Sequence, residues 1–209
     1  MLAFYIVTKG KHPFGKEPDR LRNLIDGKAA HMDEVKDPAA KDLISWMLSH
    51  DPKNRPLAEK ALKHPYLQSE KRQFEMLCRV GNQLEIKIQD IKSDVVRELN
   101  KLSPKIWSDQ LDRKVLQYLC TDFVNGTKHV YGTKHVYGSS WTECLRFIRN
   151  VNEHWHNRPC STRGPIEESL VGNPQKYFIT VFPYLSAEVH RIVRSCNWKE
   201  RSDLKEYFM

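Results

Sequence analysis

Residues 141–156, WTECLRFIRNVNEHWH, decide the fold class. Trp141, Cys144, Leu145, Ile148, Val151 and Trp155 recur every three or four positions, which is one stripe of an amphipathic α-helix; a strand would alternate its side chains every second residue. The other side carries Arg146, Asn150 and His154 at successive i, i+4 steps, with Arg149 on the flank. Guanidinium groups fork onto phosphate oxygens, an amide can fix an oxygen, and an imidazole moves a proton near neutral pH. This face therefore holds the inventory for gripping a phosphodiester. A solvated basic face ending in a histidine accounts for the same letters.

Outward from this stretch the helical period continues on both sides. Phe74, Leu77, Val80, Leu84, Ile88, Ile91, Val95 and Leu99 line one side of a long helix, or of two helices joined near Gly81-Asn82. Asp94, Glu98, Arg97 and Lys101 read as its solvated face. Ile106 to Leu119 reads as a further helix with Trp107 as a core anchor. Lys176 to Val193 is helical again, interrupted at Pro183, and residues 196–209 read as a charged, unpacked tail. Nearer the start, Leu2–Val7 looks like a helix cut in its middle, and Leu21, Leu24 and Ile25 share an amphipathic piece. Leu43, Ile44, Met47 and Leu48 form a stripe that ends before Pro52, and Leu57–His64 is stopped by Pro65. The class expected is all-α.

One hexamer is duplicated: Thr127-Lys128-His129-Val130-Tyr131-Gly132 is followed by an identical Thr133–Gly138. Six residues are too few for a solenoid repeat and read as a lengthened loop. Its lysines, histidines and tyrosines suit single-stranded RNA, and equally a loop with no ligand.

Lys+Arg 34 against Asp+Glu 26 leaves a formal +8, which favours polyanionic partners. No run approaches the roughly 20 apolar residues that span a bilayer, and the opening carries neither a basic leader nor a cleavage site, so no membrane segment or signal peptide is expected here. The five cysteines, at 78, 120, 144, 160 and 196, are scattered and odd in number, which suits a reducing, cytoplasmic setting. Cys144, His154, His156 and Cys160 match no familiar zinc spacing, so neither metal nor cofactor is expected.

KGKHPFG, LRNLI and DLISWMLSHDPKNRPLAEKALKHPYL together resemble the last third of a protein-kinase domain, over residues 1–69. The glycine-rich loop, the strand lysine, HRD, DFG and APE are missing from this sequence, so ATP binding and phosphoryl transfer are not expected of it. Arg55 lacks the acid it would pair with in the family and is expected to be solvated or re-paired.

The order that follows is similar to the kinase-extension nuclease (KEN) family, that of the inositol-requiring stress-sensor endoribonucleases and of RNase L. It runs through QFEMLCRVGNQLE, PKIWSDQL, the Tyr-Gly loop, CLRFIRNVNEH and KYFITVFPYL. The family's Arg-Asn-x-x-x-His signature is matched by Arg149, Asn150 and His154. The resemblance implies that the histidine is the general acid, that the arginine and asparagine hold the phosphate, and that an upstream tyrosine is the base or its positioner. Tyr137 is the best match, Tyr131 a rival, and the spacing to the arginine is about one residue short. Gly81-Asn82 departs from the family's usual Ser-Asp, and Val151-Asn152-Glu153-His154-Trp155-His156 from its usual Lys-rich ending.

Three units are expected: a kinase C-lobe remnant over 1–69, a KEN-type ribonuclease module over 70–195, and the tail over 196–209. The expected activity is metal-independent cleavage of RNA through a cyclic phosphate. His154, Arg149, Asn150 and Tyr137 would be catalytic, and Lys134, His135 and Arg146 would bind RNA. A homodimer is expected from the resemblance. The alternative is a silent pseudo-nuclease that dimerises or binds RNA.

Overall fold

The computed structural model describes residues 1–103, 106–124, 127–130, 137–158, 163, 166–170 and 172–209. The chain runs through α1 (Leu2–Val7), α2 (Glu17–Ile25), α3 (Pro38–Met47), α4 (Ala58–Leu62), α5 (Glu70–Gly81), α6 (Leu84–Lys87), α7 (Asp94–Lys101) and α8 (Arg113–Leu119). A hairpin of β1 (Thr121–Val124) and β2 (Thr127–Val130) follows, then α9 (Trp141–His154), α10 (Pro174–Val181), α11 (Leu185–Arg194) and α12 (Lys205–Phe208). Among the described residues the fold is all-α apart from this ribbon. Capping writes the helix starts: Asp37 accepts from the Ala39 and Ala40 amides ahead of α3, Asp112 from Lys114 and Val115 ahead of α8, and Ser140 from Glu143 ahead of α9.

The ribbon departs from the expected loop. The first copy of the hexamer contributes Thr127–Val130, which pairs antiparallel with β1, Thr127 opposite Val124 and Val130 opposite Thr121. Tyr131 and most of the second copy, including Lys134 and His135, lie outside the described residues. Residues 71–102 resolve into three helices, turning at Asn82–Gln83 and again at Gln89, whose φ is +54°.

Two hydrophobic clusters form. The smaller joins Phe4, Val35, Ala40 and Ile44. Leu21, Leu24 and Ile25 of α2 stay largely exposed, because this cluster does not reach them. The larger cluster centres on α5 and α9, where Phe74, Leu77 and Val80 face Cys144, Phe147, Ile148 and Val151, and α10 adds Phe178 stacked on Phe74 with centroids 6.3 Å apart. Trp107 is buried there as expected, and its indole N–H donates to the Gly138 carbonyl at 2.7 Å.

The C-terminal residues correct the expectation of an unpacked tail. Trp198, Leu204, Tyr207 and Phe208 are buried in the larger cluster. Their charged neighbours looked solvated because their partners are distant in sequence: Arg201 forks onto Glu85 and lies over Trp198, and Glu206 pairs with Arg72.

The kinase-like residues meet the larger cluster through a buried polar junction. His64 Nδ1 accepts from the Tyr66 amide at 3.1 Å, so its Nε2–H donates to Asp42 at 2.9 Å. Arg194 of α11 donates two hydrogen bonds to the same carboxylate, at 2.6 and 2.9 Å, and stacks 4.4 Å over Trp46. His190 accepts from Arg194 at 3.2 Å and lies flat on Phe208. Arg55 donates to the Ser49 and His50 carbonyls.

Burial alone would raise Asp42, but the hydrogen bonds from His64 and Arg194 outweigh it and hold the carboxyl down at about 2. With the folded value below the unfolded one, this stabilisation is complete above roughly pH 4 and is lost as pH falls through about 2. Asp42→Asn should destabilise the chain at pH 7 by about 2–4 kcal/mol, since it strands Arg194 without its carboxylate. In urea titrations the gap between wild type and variant should close between pH 4 and pH 2.

Candidate active site

Helix α9 crosses α5 at the end of α5, and the crossing is close because residue 81 is glycine. A Cβ at Gly81 would collide with the Leu145 carbonyl oxygen and crowd the Arg149 side chain. The chain then turns at Asn82 directly against α9. Asn82 Oδ1 accepts from Arg149 Nε at 3.1 Å, and Arg149 Nη1 donates to Asn150 Oδ1 at 2.8 Å. Arginine can only donate, so both amides are fixed oxygen-inward. Asn150 must therefore turn its Nδ2 outward, and it donates to the Tyr137 hydroxyl at 2.8 Å. The result is one polar line, Asn82–Arg149–Asn150–Tyr137, with a set direction of donation.

Aromatic packing holds Tyr137 at the end of that line. Its ring meets Phe147 edge-on at 5.1 Å and Trp107 at 6.4 Å, and the Trp107–Gly138 hydrogen bond anchors the next residue. Burial raises the Tyr137 hydroxyl above its ordinary range despite the Asn150 hydrogen bond, so it is a neutral phenol at neutral pH. Its oxygen accepts from Asn150, which leaves its own hydrogen to donate. That disfavours a phenolate base and favours a positioning donor.

His154 lies one turn beyond Asn150, at the last residue of α9, and is partly exposed. Its Nδ1 is 3.5 Å from Asn157 Nδ2, so Nε2 is the nitrogen that can reach an external oxygen. Arg149, Asn150 and Tyr137 are thus joined by hydrogen bonds, and His154 shares their helix face.

Arg146 Nη1 pairs with Glu143 at 2.6 Å and its guanidinium lies 5.9 Å over the Tyr137 ring, so it also buttresses the tyrosine. Of the rival zinc set, Cys144 is buried in the core and Cys160 lies outside the described residues.

The sequence reading missed two residues of the site. Asn82 stood out only as a departure from the family, and Glu153, 3.2 Å from Arg149 Nη2, only as part of an altered ending. The i, i+4 spacing from Arg149 was the available signal for Glu153; Asn82 had none, because its contact spans 67 positions.

Residues 73–208, which carry this site, match the family described as ribonuclease 2-5A, whose module is the KEN domain. The chain belongs to that family. It is 28% identical over 211 residues to the serine/threonine-protein kinase/endoribonuclease IRE1a of Arabidopsis thaliana, covering 99% of this chain and 24% of that protein. Against the human serine/threonine-protein kinase/endoribonuclease IRE2 the identity is 30% over 197 residues, 92% of this chain and 20% of the relative. Against the mouse 2-5A-dependent ribonuclease it is 27% over 205 residues, 95% and 26%. The chain therefore spans about a quarter or less of the length of these relatives. Similarity reaching over residues 1–69 as well as the KEN module agrees with the kinase-like reading of the first segment.

Within this KEN module the α5–α9 crossing is the feature that places Arg149. Gly81→Ala should destabilise the fold by about 1–3 kcal/mol through overpacking, measured by thermal or urea unfolding. It should also separate Asn82 from Arg149. A variant as stable as wild type would contradict the close-contact account.

Proposed function

We propose that this chain is a metal-independent endoribonuclease module in which α9 presents the catalytic groups. The observation that carries the reading is the directional line from Arg149 through Asn150 to Tyr137, lying one helical turn from His154. The names of the relatives, kinase/endoribonuclease and ribonuclease, support the same substrate class. Arg149 holds a phosphate oxygen through its guanidinium N–H groups. Tyr137, a neutral phenol, orients the 2′-hydroxyl, whose oxygen attacks the adjacent phosphorus while its proton passes to water. Protonated His154 gives its Nε2 proton to the departing 5′ oxygen, and a 2′,3′-cyclic phosphate remains. Acid catalysis by one positioned imidazole is worth about 10²–10⁴-fold.

Residues 1–69 serve in this reading as a packing platform, without ATP, and residues 70–195 as the nuclease, closed by the C-terminal segment. The working form is a homodimer on the cytosolic side of the cell. Among the described residues no helix is long and apolar enough to cross a membrane.

Three outcomes are expected. His154→Ala should abolish cleavage of a hairpin RNA while shifting Tm by no more than about 2 °C, because the side chain is partly exposed and anchors no core contact. A fully 2′-deoxy substrate should resist wild type. Specific activity should also rise with protein concentration over about two decades, in step with sedimentation of a dimer. Retained cleavage in the His154 variant would refute the assignment, and a strictly first-order rate with monomer throughout would refute the dimer.

A further inference from the structure

Arg149 is gripped on all three of its nitrogens, and the three grips differ in kind. Nε meets Asn82 and Nη1 meets Asn150, both neutral amides at half-buried positions on packed elements. Nη2 meets the Glu153 carboxylate at 3.2 Å, and that side chain is 46% exposed where Arg149 is 23% exposed. The amides are enough to fix the guanidinium plane. The carboxylate adds a charge pair near solvent, where such pairs are weak and readily exchanged. Among the described residues Glu153 is the one carboxylate paired with Arg149.

Arg149 and Glu153 border a groove of about 410 Å³ whose other charged residues are Arg72 and Arg79 against Glu75 and Glu206. A phosphodiester oxygen has the charge, and much of the acceptor geometry, of the carboxylate oxygen that now contacts Nη2. The groove leaves the released side chain room to turn away.

We propose that Glu153 is an internal stand-in for the RNA phosphate: it closes Arg149 in the free protein and is displaced by the scissile phosphate, so it sets RNA affinity and not the rate of the chemical step. This rests on the proposed ribonuclease function and adds the regulation of its phosphate site. A carboxylate that leaves on binding weakens every RNA alike, so it sets affinity and leaves the preference among RNAs unchanged. Glu153 takes no part in proton transfer.

The test uses the full chain, a hairpin RNA, and the same hairpin with 2′-O-methyl groups, which cannot be cleaved and reports binding alone. Glu153→Gln keeps the side chain's shape and one acceptor while removing the charge. It should tighten binding of the 2′-O-methyl hairpin on the order of five- to tenfold, lower KM for the cleavable hairpin to match, and leave kcat within about twofold. A generic field effect is separated in two ways. Glu59→Gln, an exposed acid on α4, should leave binding unchanged. In an Arg149→Ala background the Glu153→Gln gain should vanish. Unchanged or weaker binding, a gain that persists without Arg149, or a fall in kcat at constant Kd would overturn the stand-in. Wild type that binds RNA without cutting it, with the gain still dependent on Arg149, would overturn the ribonuclease reading and leave the stand-in standing. Absence of RNA binding by wild type would overturn both.

Discussion

The contact on which the site depends is the absence of a side chain. At Gly81 the last turn of α5 rests against the Leu145 carbonyl of α9, closer than any Cβ would allow. Because the backbones touch there, the next residue, Asn82, reaches Arg149 at 3.1 Å, and the guanidinium is held before any ligand arrives. From that point the direction of each hydrogen bond is dictated by the one before it, out to the Tyr137 hydroxyl. Such preorganisation removes the reorganisation that the reaction would otherwise require of its electrostatic groups. The apolar side of α9, pressed on Phe74, Leu77 and Phe178, supplies the rigidity that lets a polar line of this kind persist.

A second constraint ties the kinase-like residues to that scaffold. Asp42 and His64 come from the kinase resemblance, in DLISW and the His-Pro step, while Arg194 and His190 come from within the KEN match. The carboxylate satisfies His64 and Arg194 at once, so the junction holds few stranded charges despite its burial. The first segment's own buried cluster, Phe4, Val35, Ala40 and Ile44, is small, and the segment meets α11 through this group.

The helices were legible in the sequence because their apolar period is strong and their ends carry caps and prolines, as at Asp37-Pro38 and Ser140. The face of α9 was legible for the same reason. What the sequence hid was long-range and polar. Asn82 looks like an unfavourable exchange until its contact with Arg149 is seen. The contacts of Arg146 with Glu143 and the Tyr137 ring are likewise not visible in the helical pattern. The C-terminal residues look solvated because Glu85 and Arg72, which pair with Arg201 and Glu206, lie more than a hundred positions away. Periodicity reports which side of an element is apolar; it carries no information about which distant charge will meet which.

The central claim is that side chains alone, with the 2′-hydroxyl of RNA as nucleophile, carry out the cleavage. It is tested most directly by the chemistry of the product ends when a hairpin RNA is cut by the purified chain in excess chelator. The account predicts undiminished cleavage leaving a 2′,3′-cyclic phosphate on one fragment and a 5′-hydroxyl on the other. Cleavage that stops in chelator and returns with a divalent ion, or fragments bearing a 5′-phosphate and a free 3′-hydroxyl, would contradict it.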